Sequence, residues 1–112
     1  MARQSYAITT FALGVVTCTS VSRSSSLATP QKLGATIGFT AAATRCAGPQ
    51  YEFWLLAPGG AWTLKQAWSG ASWSWLTTGL AAGTYQVGVW ARQAGSKASH
   101  DSYFISTYDL SV

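Results

Sequence analysis

Residues 33–44 read Leu33-Gly-Ala-Thr-Ile-Gly-Phe-Thr-Ala-Ala-Ala-Thr44. Leu33, Ala35, Ile37, Phe39, Ala41 and Ala43 alternate with Gly34, Thr36, Gly38, Thr40, Ala42 and Thr44. A period of two sends the first set to one face of a β-strand and leaves small and polar residues on the other. Working outward, Tyr51, Phe53 and Leu55 form a second inward set, interleaved with Glu52, Trp54 and Leu56. Pro58-Gly59-Gly60 turns the chain, and Trp62, Leu64, Gln66 and Trp68 continue on the return strand. Trp73 and Trp75 share one face of a short strand, and Tyr85, Val87, Val89 and Ala91 alternate with Gln86, Gly88, Trp90 and Arg92. No segment carries apolar residues at spacings of three and four, so no long helix is expected.

Turn signals at Thr29-Pro30, Pro58-Gly59-Gly60, Ser69-Gly70, Thr78-Gly79 and Ala94-Gly95 separate these strands. About seven short strands at this spacing predict an all-β chain, an immunoglobulin-like antiparallel β-sandwich. In Gly79-Leu80-Ala-Ala-Gly83-Thr-Tyr85, a Leu, a Gly and then a Tyr opening a late strand look like a tyrosine corner. The chain has 112 residues, enough for one domain of this kind. Hydrophobic residues make up 48% and charged residues 9%, which excludes a disordered tail.

Two segments carry a resemblance: Tyr51-Glu-Phe-Trp-Leu-Leu-Ala-Pro-Gly-Gly-Ala-Trp62 and Gly79-Leu-Ala-Ala-Gly-Thr-Tyr-Gln-Val-Gly-Val-Trp-Ala-Arg92. They resemble the tandem Ig-like repeats of large bacterial surface proteins, similar to fibronectin-type and triple-tyrosine modules, over roughly residues 16–110. The resemblance implies a spacer, adhesion unit or accessory domain and no catalytic residues.

An internal repeat bears on the same reading. Ser5-Tyr-Ala-Ile-Thr-Thr-Phe-Ala-Leu-Gly-Val15 matches Ser102-Tyr-Phe-Ile-Ser-Thr-Tyr-Asp-Leu-Ser-Val112 at Ser, Tyr, Ile, Thr, Leu and Val. The step from Ser5 to Ser102 is the size of one Ig-like domain. Residues 1–15 therefore read as the last strand of a preceding repeat or as a strand-exchange segment, with Ser5, Tyr6, Ile8, Phe11 and Leu13 as the pairing residues. Residues 16–112 read as the sandwich. The alternative is that residues 1–14 are a remnant of where the gene was cut, disordered or folded against their own domain. The Arg, apolar stretch and Cys of residues 1–18 also look superficially like a lipoprotein signal, but Tyr6, Thr9 and Thr10 interrupt it and Thr17 suits a lipidated Cys poorly. No stretch is long enough to span a membrane.

Cys18 and Cys46 are too few for a structural zinc site and read as one disulfide of an exported, extracellular or cell-surface protein, against the alternative of two buried thiols. The net charge of +4 comes from residues spread along the chain without a run, unlike the clustered footprint of a nucleic-acid binder. Few reactions can be staffed from three acids (Glu52, Asp101, Asp109) and one His. His100-Asp101-Ser102 has the residue types of a hydrolase triad, but neighbours in a strand point to opposite faces. Glu52 or Asp109 with Lys32, Lys65 or Lys97 would be needed for an internal isopeptide bond, and the chain contains no Asn, the commoner partner. No phosphate loop or metal cluster is present in the sequence, so no enzyme, cofactor or metal site is expected.

The six tryptophans remain. Trp73 and Trp75 are expected in the core, with Trp62 and Trp68 doing the same on the neighbouring strand. Trp54 and Trp90 fall out of phase with the core sets and belong on the outer face beside Glu52 and Arg92. Such a surface suits contact with another protein segment, stacking on the sugar rings of a polysaccharide, or cover beneath a loop. The expected partners are thus the chain itself or neighbouring repeats by strand pairing, or a polysaccharide.

Overall fold

A computed structural model describes residues 17–96 and 98–112. Among them are eight strands and no helix: β1 (Ser20–Ser25), β2 (Gln31–Lys32), β3 (Thr36–Thr44), β4 (Pro49–Leu56), β5 (Trp62–Ser69), β6 (Ser72–Leu76), β7 (Gly83–Gln93) and β8 (Ser102–Ser111). They form a three-stranded sheet in the order β1-β3-β6 and a five-stranded sheet in the order β2-β8-β7-β4-β5. Two sheets of three and five strands packed face to face make the expected β-sandwich, with β5 extending the edge of the larger sheet. Every pairing is antiparallel except that of the two-residue β2, which runs parallel to β8. The expected N-terminal strand, with Ser5, Tyr6, Ile8, Phe11 and Leu13, lies outside the described residues.

The inward sets meet as the alternation requires. Ile37, Phe39 and Ala41 from β3 and Trp75 from β6 face Tyr51, Phe53 and Leu55 from β4, Tyr85, Val87, Val89 and Ala91 from β7, and Tyr108 and Leu110 from β8. Phe39 has no exposed surface and lies 5.6 Å from the Trp73 ring, 6.0 Å from Trp75 and 5.7 Å from Tyr108, the last edge-on. These offset and edge-to-face contacts add to the area each ring buries. Buried phenols find backbone partners. Tyr51 Oη accepts from Ala43 N at 3.0 Å, Tyr85 donates to Ala81 O at 2.7 Å, and Tyr108 donates to Leu27 O. The Tyr85 bond is the contact expected of a tyrosine corner. Gly83, at the head of β7, has φ +146°, and a Cβ there would meet Pro58 Cγ at 2.8 Å.

Cys18 and Cys46 are disulfide-bonded, tying the chain just before β1 to the β3–β4 loop. Asp101 closes the same end: one carboxylate oxygen accepts from Gln93 N at 2.8 Å and from Cys18 N at 3.2 Å. At the open side between the sheets, Arg23 of β1 lays its guanidinium over Phe39 at 4.8 Å and donates to Ser106 Oγ of β8 at 2.9 and 2.6 Å. Burial lowers the Arg23 pKa from its ordinary value, with Tyr108 pulling the other way. A half-buried cation on an edge strand also discourages edge-to-edge pairing there.

Two outcomes follow. The disulfide spans a sequence separation of 28, so replacing both Cys18 and Cys46 by Ala is expected to cost about 3–4 kcal/mol in denaturant unfolding by the chain-entropy relation. Burial raises the Tyr108 phenol above its ordinary 10.0, with Arg23 opposing. Because the folded state favours the neutral phenol, that stabilisation is complete below about pH 10 and is lost as pH rises through the folded value. The denaturation midpoint should therefore fall above about pH 10, and fall less steeply in Tyr108→Phe.

Candidate functional site

With alternate residues of β4 and β7 committed to the core, the others must face outward. The register sets Gln50 opposite Arg92, Glu52 opposite Trp90, Trp54 opposite Gly88 and Leu56 opposite Gln86. On the far side of β7, Tyr103, Ile105 and Thr107 of β8 stand opposite Trp90, Gly88 and Gln86. On the far side of β4, Trp62 and Leu64 of β5 stand opposite Leu56 and Trp54. The outer face of the five-stranded sheet thereby gathers aromatic and aliphatic side chains from four strands.

At its centre is a cleft of about 220 Å³ lined by Trp54, Trp62, Gly88, Trp90 and Ile105. The Trp54 and Trp90 rings lie 5.1 Å apart, tilted by 36°. Gly88 forms the floor: a Cβ there would come within 3.3 Å of Trp62 Cζ3 and 3.6 Å of Trp54 Cβ. His100 extends the aromatic row, 4.6 Å from Trp90 and 5.4 Å from Tyr103, perpendicular to the latter. Toward the other end, the Arg92 guanidinium stacks on Trp68 at 4.1 Å and its Nε donates to Gln50 Oε1 at 3.3 Å.

The structure brings together Trp54, Trp90, Arg92 and Glu52, the four residues expected at a contact surface, and corrects the role of one. Glu52 is only 8% exposed, lying between the large indoles of Trp54 beside it and Trp90 opposite it. Its Oε1 accepts from Trp54 Nε1 at 3.3 Å, so it supports the surface from beneath and does not present a charge. A second correction concerns Trp62 and Trp68, expected in the core. Trp62 is 39% exposed on the outer face, and Trp68 lies beneath Arg92. The β4–β5 pairing shifts register between Tyr51 and Phe53 and again between Phe53 and Trp54. These bulges turn Gln66 toward Phe53, where its Nε2 reaches Ser72 O at 2.9 Å, and return Trp68 to the outside.

Sequence reasoning missed Trp62, Gly88 and Ile105 as cleft residues. For Ile105 a signal existed: it and Tyr103 alternate out of phase with the buried Tyr108 and Leu110. The His100-Asp101-Ser102 run disperses. The imidazole stacks outward on Trp90, the Asp101 carboxylate is spent on backbone N–H groups, and Ser102 Oγ is buried with no hydrogen-bond partner. Among the described residues, no group of three or more His, Cys, Asp or Glu is placed to hold a metal ion. The cleft offers indole faces, one aliphatic side chain and bare backbone, an arrangement that binds by shape and π contact.

In comparisons with known proteins, no family model, no curated protein and no solved structure matches this chain.

Gly88→Ala tests the floor of the cleft. Trp62 sits on an edge strand and can move, so stability should change by less than about 1 kcal/mol, while tryptophan emission shifts to longer wavelength as the Trp62 ring is displaced.

Proposed function

We propose that this chain is a non-enzymatic, immunoglobulin-like structural and adhesion module of a bacterial extracellular or cell-surface protein. The observation that carries the reading is the connected aromatic outer face of the five-stranded sheet. Trp62, Tyr103 and Ile105 are 39%, 58% and 45% exposed there, on a domain with few charges. Exposed apolar patches of this kind mark interaction surfaces. The disulfide fits an oxidising compartment, and no helix among the described residues is long and apolar enough to cross a membrane.

The internal repeat supports a modular, self-associating role. Laid over β8, the segment 5–15 preserves the kind of residue at its inward positions. Thr9 matches Ser106, the hydroxyl that accepts from Arg23; Phe11 matches the buried ring of Tyr108; Leu13 matches Leu110. Outward, Tyr6 and Ile8 match Tyr103 and Ile105. A segment of this composition suits an antiparallel neighbour of the β7 type or an open sheet edge on another copy. β2 covers β8 only at Leu110 and Ser111, and Tyr103–Thr107 have no strand partner on that side among the described residues. Backbone pairing along such an edge is a recognised mode of association.

The test is particle mass by light scattering, with negative-stain microscopy, on the full chain and on a form lacking residues 1–15. The full chain should form dimers or larger particles that the shortened form does not. Equal monomeric mass for both would overturn self-association through this segment.

A further inference from the structure

We infer that the cleft among Trp54, Trp62, Gly88, Trp90 and Ile105 is a binding site for a neutral saccharide, taking one pyranose ring against its indole walls. The inference rests on the proposed adhesive role of this face and names what the face adheres to.

Size is the first constraint. About 220 Å³ is below the span of clefts that hold drug-sized ligands, and matches a single ring-sized group of a longer chain lying across the sheet. The wall chemistry is the second. The negative π faces of indoles attract the weakly positive C–H groups on the apolar side of a sugar ring, and Trp62 is the most open of the three indoles, with Trp54 and Trp90 packed together beside it. Keeping Gly88 free of a side chain maintains the depth that a ring needs.

Charge complementarity decides between ligand classes. No charged side chain lines the cleft: Glu52 lies beneath Trp54 and accepts its N–H, Arg92 is stacked on Trp68 and bonded to Gln50, and Asp109, two rows along the face from Gly88 and Ile105, accepts from Thr84 Oγ1. An acidic polysaccharide or a charged peptide would find no counter-charge at the cleft. The polar groups that flank it along the strands are neutral. Gln86 and Thr107 stand opposite one another in the next outward row on one side, and Tyr103 stands opposite Trp90 on the other. Amide, hydroxyl and phenol groups suit the equatorial hydroxyls of a neutral sugar, serving as both donors and acceptors.

The experiment is a tryptophan-fluorescence titration of the full, disulfide-intact chain with cellohexaose, chitohexaose and mannohexaose, with dextran sulfate as the charged arm. At least one neutral oligosaccharide should give a saturable emission change. Trp62→Ala should weaken that binding by about tenfold, the worth of one aromatic contact. Gly88→Ala, which fills the floor without deleting a ring, should weaken it too. Trp68→Ala, outside the cleft, should leave it unchanged. A thermal melt of each variant separates lost binding from lost folding. Response to none of the three neutral sugars overturns the inference, as does response to dextran sulfate alone. Light scattering in the same samples shows whether the cleft is instead filled by a second copy. A dimer that Trp62→Ala abolishes would overturn saccharide binding and leave the adhesive reading standing, whereas monomer with a saturable sugar response would support saccharide binding whatever residues 1–15 do.

Discussion

The outer surface of this domain depends on the burial of four side chains it never shows. Tyr85, Val87, Val89 and Ala91 point from β7 into the sandwich and have 3% exposure or less. β7 is paired along both sides, with β4 and with β8, so it cannot slip without breaking two ladders. A shift of one residue would drive Trp90 and Arg92 into the core and expose the valines. Fixing the inner set fixes Gly88, Trp90 and Arg92 on the outside, and the two ladders carry that phase to Trp54 on one neighbour and to Ile105 on the other.

The domain has few charges and uses several of them in internal contacts, while Lys32, Arg45 and Lys65 stay exposed. Its three acids all accept hydrogen bonds: Glu52 from an indole, Asp101 from backbone N–H groups at the disulfide end, and Asp109 from Thr84 Oγ1 at 2.6 Å. Arg23 and Arg92 each lie over an aromatic ring. Hydrogen bonds to ionised groups are stronger than neutral ones, so a chain with little charge gains more by using it to set geometry than by leaving it in water. The cleft on the outer face is lined by no charged side chain.

What could be read from the sequence was chiefly what a strict period of two encodes. The inward sets of β3, β4 and β7 and the outward Trp54 and Trp90 are legible in that way, while the Tyr85 contact is legible from the spacing of Leu80, Gly83 and Tyr85 and the Cys18–Cys46 bond from the cysteine count. The face taken by the tryptophans of β5 was not, because alternation puts Trp62 and Trp68 on one side of the strand without saying which, and the pairing of Trp62 with the outward Leu56 decides it. Nor was the burial of Glu52, which depends on how two indoles from different strands settle over it. The cleft is also a property of register: Gly88 reads as an ordinary strand glycine until Trp54, Trp62 and Ile105 are placed around it. Residues 1–15 stand apart, since their likeness to β8 states a capacity and not a location.

The position of the disulfide has a mechanical consequence. A bridge between core strands would brace the interior, but this one joins the residues just before β1 to the loop between β3 and β4. A pull applied ahead of Cys18 passes through the sulfur atoms to Cys46 and into β4, next to the doubly paired β7. The intervening residues, including β1 and β3, are held in a covalent loop and cannot be drawn out. Their sequence separation of 28 corresponds to about 95 Å of extended chain that such a load does not release. Two of the three strands of the smaller sheet, β1 and β3, are thereby shielded from force that arrives along the backbone, while β6 lies beyond Cys46.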